Sequence, residues 1–128
     1  MGFAFDGLDH IQLAAPAGCE TEARKFFGGL LGWEEIPKPD KLKSRGGVWF
    51  RCGEHEVHIG VQPEFVPAVK AHPAFRVRNL AELRAHLIRH RVPVTDDDAR
   101  ADQGVERFYA SDPFGNRIEF LEWKETGR

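Results

Sequence analysis

His10, His58, His72 and Glu119 are the residues of this chain best suited to chemistry, because imidazoles and carboxylates are the side chains that bind divalent metals. They fall into two pairs of nearly equal spacing: His10 and His58 lie 48 residues apart, His72 and Glu119 lie 47 apart. Each pair opens in a short apolar, strand-like run (LDHIQLA, AHPAFRV) and closes in another (EVHIGV, RIEFLE). Matched spacing of this kind is the mark of an internal duplication, and a repeated unit fixes the architecture. Three imidazoles and one carboxylate therefore stand at equivalent points of a repeat, as a duplicated metal-binding fold requires.

The elements that must position them follow from local periodicity. Residues 7–14 alternate as a strand, with Leu8, His10 and Gln12 on one side and Ile11 and Leu13 on the other. Ala23, Phe26, Phe27, Leu30 and Leu31 switch to helical spacing over residues 20–31, and Gly32 is the expected stop. A short strand over 33–36 ends at Pro37 and Pro39, and the polar stretch 38–45 reads as a basic loop. Residues 48–52 and 56–61 then form a hairpin across Gly53–His55. After a Pro-bearing connector, 62–70, the order repeats. It runs through a strand over 71–77, a helix capped by Asn79 and reaching about Arg89, and a strand over 92–95. A polar loop over 96–103 follows, and the last hairpin, 107–111 and 117–123, turns on Asp-Pro-Phe-Gly-Asn. The fold class expected is α+β, two tandem βαβββ units (roughly 7–61 and 71–123) in a single domain over 1–128.

A strand period of two sorts the faces. Ile11 and Leu13 lie opposite His10, Val57 and Ile59 opposite His58, Phe75 opposite His72, and Ile118 and Phe120 opposite Glu119. The bulky apolar residues thus face the helices in all four strands, and the ligand candidate faces the other way. Arg76 alternates onto the His72 side, where a guanidinium can grip a substrate carboxylate or phosphate, and Gln12 lies beside His10 to orient a substrate oxygen. Trp49 pairs in parity with Arg51 and Arg107 with Tyr109, and parity alone leaves open which face each pair takes. His86 and His90 share a helix face, but Arg84, Arg89 and Arg91 surround them and disfavour a cation.

Composition bounds the function. The 128 residues are 41% hydrophobic and 30% charged with a net charge of −2, an ordinary globular mix without the basic footprint of a nucleic-acid binder. No apolar run approaches the roughly 20 residues needed to span a bilayer, and the first residues do not read as a signal peptide. Cys19 and Cys52, outside any CxxC, read as free thiols of a reducing compartment, so a cytoplasmic location is expected.

The stretches LDHIQL, LLGWEE, AHPAFRV and RFYASDPFGNRIEFLE resemble the vicinal oxygen chelate superfamily, which includes glyoxalase I, fosfomycin and bleomycin resistance proteins and extradiol dioxygenases. The resemblance covers roughly residues 7–123. It implies that each unit curls its sheet into half of a cupped, barrel-like mixed sheet with the helices outside, and that the metal ligands are His10, His58, His72 and Glu119. It implies a divalent metal (Ni, Co, Zn, Mn or Fe) and a small substrate that chelates it through oxygen. It further implies isomerase- or lyase-type proton transfer through a metal-stabilised enediolate, with Glu119 as the base. His58 stands where glyoxalase I itself usually carries Glu. A homodimer is the expected assembly. The alternatives are a metal-free small-molecule-binding or drug-resistance protein, and a ring-cleaving dioxygenase.

Overall fold

The computed structural model describes residues 2–124. They divide into two compact units, Met1–Phe65 and Val66–Arg128. In the first, β1 (His10–Ala15) leads to α1 (Glu20–Ala23), which widens at once into a π-helical segment, Arg24–Leu30. β2 (Glu34–Ile36), β3 (Val48–Cys52) and β4 (His55–Val61) complete the unit. The second contains β5 (Ala74–Arg76), α2 (Leu80–Arg89), β6 (Val94–Asp97), β7 (Val105–Ser111) and β8 (Arg117–Trp123). The sheet orders are β1-β4-β3-β2 and β5-β8-β7-β6, the same topology twice, with the outer pair parallel and the rest antiparallel. The duplication extends to the register: Gln12 sits opposite His58 as Ala74 sits opposite Glu119.

The first unit's core is one face of its sheet with the helix laid on it. Leu13, Ala15, Val48, Phe50, Val57 and Ile59 are buried there with Ala23, Phe26 and Phe27. The expected α-helix over 20–31 is correct in extent and wrong in pitch. Gly28 and Gly29 hold the backbone only weakly in a regular helix, and the wider turn lets consecutive phenylalanines both face the sheet. Phe27 meets Phe50 at 5.7 Å and Trp33 at 5.4 Å, whereas Leu30 and Leu31 stay half-buried. The expected loop 38–45 carries a 3-10 turn, Asp40–Arg45, closed by Gly46 and Gly47 at positive φ. A Cβ on Gly47 would stand 2.1 Å from the Ile59 carbonyl oxygen, so only glycine lets the chain enter β3 here.

The second unit repeats the layering with Leu80, Leu87, Phe108, Ala110, Ile118 and Phe120 buried. β5 is shorter than the expected 71–77 because Pro73 has no N–H to give; its carbonyl still accepts from Glu119 N at 3.0 Å. The helix starts where expected, but its cap differs. Asn79 is left-handed (φ 61°, ψ 56°) and its side chain caps nothing. Glu122 supplies the carboxylate instead, accepting from Leu80 N at 3.0 Å and Asn79 N at 3.2 Å. Its parity with Ile118 and Phe120 aims it at the helix. The first acids of the expected loop 96–103 extend β6, drawn in by Arg84, which grips both oxygens of Asp96 at 2.8 Å. Among the described residues no helix is long and apolar enough to cross a membrane.

Candidate functional site

β8 and the segment before β5 bring His72 and Glu119 together in the second unit. The DPFGN turn sets β8. The buried Asp112 carboxylate accepts from Phe114 N (2.9 Å), Asn116 N (2.8 Å) and Asn116 Nδ2 (2.8 Å), and burial pushes its carboxyl above the usual range despite those bonds. Leaving that turn, β8 places Glu119 directly across from Tyr109 on β7 and Ala74 on β5. The Glu119 side chain is buried, and its Oε1 lies 3.0 Å from His72 Nε2.

The hydrogen bonds of His72 define what can occupy that contact. Its Nδ1 is 2.9 Å from the Lys70 carbonyl oxygen, which can only accept, so Nδ1 carries the hydrogen. Nε2 then presents a lone pair to a carboxylate that also only accepts. Two acceptors meet at 3.0 Å only with a proton or a metal cation between them. Ligands about 2.1 Å from a metal and at right angles to each other are themselves about 3.0 Å apart. The pair therefore fits half of a divalent-metal site, with the carbonyl behind His72 fixing the tautomer as such partners do.

Arg107 secures the other Glu119 oxygen. Its Nη1 donates to Oε2 at 3.4 Å, while Nε and Nη2 both donate to Asp97 Oδ1 at 3.2 Å. Arg107 and Tyr109 therefore take the Glu119 face, the choice that parity left open, and Tyr109 meets the His72 ring edge-on at 5.3 Å. The Asp97 carboxyl is held low, by the N–H of Ala99 first and by Arg107. Arg76 shares this face, exposed, and Arg117 lays its guanidinium 4.0 Å over the Tyr109 ring. Sequence reasoning passed over Arg117 and left Arg107 undecided, although their parity with Glu119 is the signal that places both.

In the first unit His58 is buried within a stack of rings. Trp49 lies parallel to it at 3.6 Å, settling the face of Trp49 and Arg51, and His10 stacks at 4.1 Å. Glu56 takes His58 Nε2 at 2.9 Å, and Asp9 takes His10 Nδ1 at 2.8 Å. A metal must lie in the plane of each ligating ring, so near-parallel stacked rings do not converge on one ion. Gln12 turns over Gly60, which leaves room for it: a Cβ there would be 2.6 Å from Gln12 Nε2. Among the described residues no group of three or more His, Cys, Asp or Glu side chains is arranged to hold a metal. The pair in the second unit is the part that fits.

An open cleft of about 610 Å³ beside α2 and β6 shares Arg107 and Asp97 with the His72–Glu119 site, and its charged walls are largely self-paired through Arg84–Asp96 and Arg107–Asp97. A second, of about 420 Å³ in the first unit, holds Glu20, which accepts from Gly47 N and pins the glycine turn. Cys19 and Cys52 are free, and burial pushes both thiols up.

Tandem βαβββ units with this strand order are the fold of the vicinal oxygen chelate superfamily. A glyoxalase family protein of Bacillus anthracis is 56% identical, matches 97% of this chain and 100% of its own, and superposes with a TM-score of 0.92. The chain belongs to the glyoxalase family within that superfamily. Lactoylglutathione lyase of Agrobacterium tumefaciens (21% identity, 97% and 98% of the two chains, TM-score 0.73) shares the fold. So does a fosfomycin resistance protein of Listeria monocytogenes (18% identity, 98% and 97%, TM-score 0.69). No protein-family model and no curated protein matches the chain.

Proposed function

We propose that this chain, one domain built of two units, is a divalent-metal-dependent, glyoxalase-like enzyme. Its substrate is a small molecule that offers two oxygens for chelation, and its reaction is a proton transfer of isomerase or lyase type. The observation that carries the reading is the His72–Glu119 contact, two acceptors 3.0 Å apart, which is the separation of two ligands on one metal and which a shared proton spans in its absence. When bound, the metal supplies Lewis acidity that stabilises negative charge developing on substrate oxygen.

The protein's own groups do the rest. The Lys70 carbonyl holds the His72 ring so that Nε2 faces inward. Arg107 keeps the buried Glu119 carboxylate from rotating away, and Glu119 is the group that takes and returns the substrate proton. His10 and His58 are candidate ligands from the sequence; their stacked rings allow one of them, not both, to serve a given ion, and each is bonded to a carboxylate, Asp9 or Glu56. Arg76 and Gln12 are the candidate substrate contacts. Membership of the glyoxalase family and the likeness to a lactoylglutathione lyase support the reaction class.

The test is the metal content of protein purified without chelator, with hemithioacetal isomerisation measured alongside. The reading expects near-stoichiometric metal, lost in His72→Ala. Less than about a tenth of an equivalent, with no tight rebinding of Ni, Co, Zn, Mn or Fe, would sink it in favour of a metal-free binding protein.

A further inference from the structure

Three arginines share the Glu119 face of the second sheet, and they differ in what their guanidinium groups are doing. Arg107 is spent: its donors are taken by Asp97 and Glu119. Arg76 is exposed at the parallel edge, on β5, and among the described residues no ring or carboxylate seats it. Arg117 is half-buried and held over Tyr109, its guanidinium carbon 4.0 Å from the ring centroid, yet it is in no ion pair among the described residues. The ring holds the group, and among the described residues no hydrogen bond takes up its five N–H donors. The guanidinium is therefore kept in place with its fork unused by those residues.

Position adds to this. Arg117 lies two residues before Glu119 on the same strand face, and Tyr109 is the cross-strand partner of Glu119. Asp97 attracts Arg117 through space but spends its hydrogen bonds on Ala99 and Arg107, and Glu119 spends its own on Arg107 and His72, so neither takes the Arg117 fork. Arg76, Arg107 and Arg117 outnumber Asp97 and Glu119 on this face, so it is positive already, and any proton or cation between His72 and Glu119 makes it more so. A pre-seated guanidinium beside such a site loses little freedom on binding, which favours recognition of a small anion.

We propose that Arg117 is the receptor for an oxyanion, a carboxylate or phosphonate, on the ligand of this site. The inference takes from the proposed function only that a ligand meets the Glu119 face; it does not require the metal. The probes are sodium acetate and methylphosphonate, titrated at constant ionic strength against sodium chloride, into protein as purified and after passage over chelating resin. Arginine Nε–H resonances report the binding. A saturable shift of the Arg117 signal with either oxyanion, and none with chloride, is expected in both preparations; which of the two binds more tightly identifies the group.

Arg117→Gln should weaken binding at least about tenfold and Arg117→Lys by less, since a lysine keeps the charge and loses the fork, whereas Arg89→Gln, exposed at the end of α2, leaves it unchanged. Amide spectra of each variant confirm the fold. A linear, unsaturable response, or equal affinity in folded Arg117→Gln, overturns the inference. Saturable binding at Arg117 in a protein that takes up no metal would sustain it while the metal reading falls. Oxyanion binding that appears only with metal and ignores Arg117 would do the reverse.

Discussion

Glu119→Gln separates the fold from the chemistry more sharply than any other single change. The side chain is buried, its Oε1 is 3.0 Å from His72 Nε2, and its Oε2 is 3.4 Å from Arg107 Nη1. An amide has the same shape and can satisfy both neighbours in a metal-free protein. Its oxygen accepts from Arg107, and its NH₂ donates to the His72 lone pair that Lys70 has already oriented. What is lost is the charge assistance of two hydrogen bonds, the long one from Arg107 and the one through the proton that a metal-free His72–Glu119 pair shares, about 1 kcal/mol each, partly offset because a carboxylate no longer has to be desolvated. Stability should therefore change by no more than about 2 kcal/mol.

Metal affinity should respond very differently. Outer groups that merely orient ligands are worth about 10–100-fold in affinity, so replacing an anionic ligand by a neutral one should cost about 100-fold or more, about 2.7 kcal/mol. Urea unfolding of the metal-free protein gives the first quantity, and calorimetric titration with Zn or Ni the second. A stability loss above about 3 kcal/mol would mean that the carboxylate holds β7 and β8 together rather than serving a ligand. An affinity within about threefold of the parent would remove Glu119 from the metal site.

Two further outcomes test the supports of the site. Asp112→Ala strands three donors of the turn, two of them backbone N–H groups, and should cost about 3 kcal/mol in urea unfolding; a loss under about 1 kcal/mol would show that water replaces the carboxylate. Glu122 has its carboxyl held low by the Leu80 N–H first, then Lys124, so its contribution is full above the ordinary carboxyl range and disappears as pH falls through the lowered folded-state value. Glu122→Gln should flatten the acid-side fall of the melting temperature, and equal slopes for the two proteins would refute the capping role.

What the sequence revealed and what it hid divide along one physical line. Strand parity is a property of the backbone, and a period of two, read from Ile11, Val57, Phe75 and Ile118, places His10, His58 and Glu119 on the face opposite those apolar residues. The repeat was equally legible, because equivalent residues recur at equal spacing and the two sheets have the same strand order. Partner choice is not a backbone property. Nothing in the string says that Glu122 rather than Asn79 serves α2, because the two meet only when β8 lies beneath the helix N-terminus. Nor does it say that Trp49 and Glu56 engage His58, whose equivalent position in the other unit carries Glu119, engaged by His72 and Arg107. The π-helical widening at Arg24–Leu30 was hidden for the same reason: it satisfies Phe50 and Trp33, which lie outside the window that sets helix period. The duplication thus copied a scaffold with two equivalent faces, and the side chains on them have since diverged. One unit stacks its imidazoles against Trp49, and the other holds an imidazole and a carboxylate at the separation of two ligands on one metal. The asymmetry between the halves, rather than their likeness, is where the chemistry of this chain should be sought.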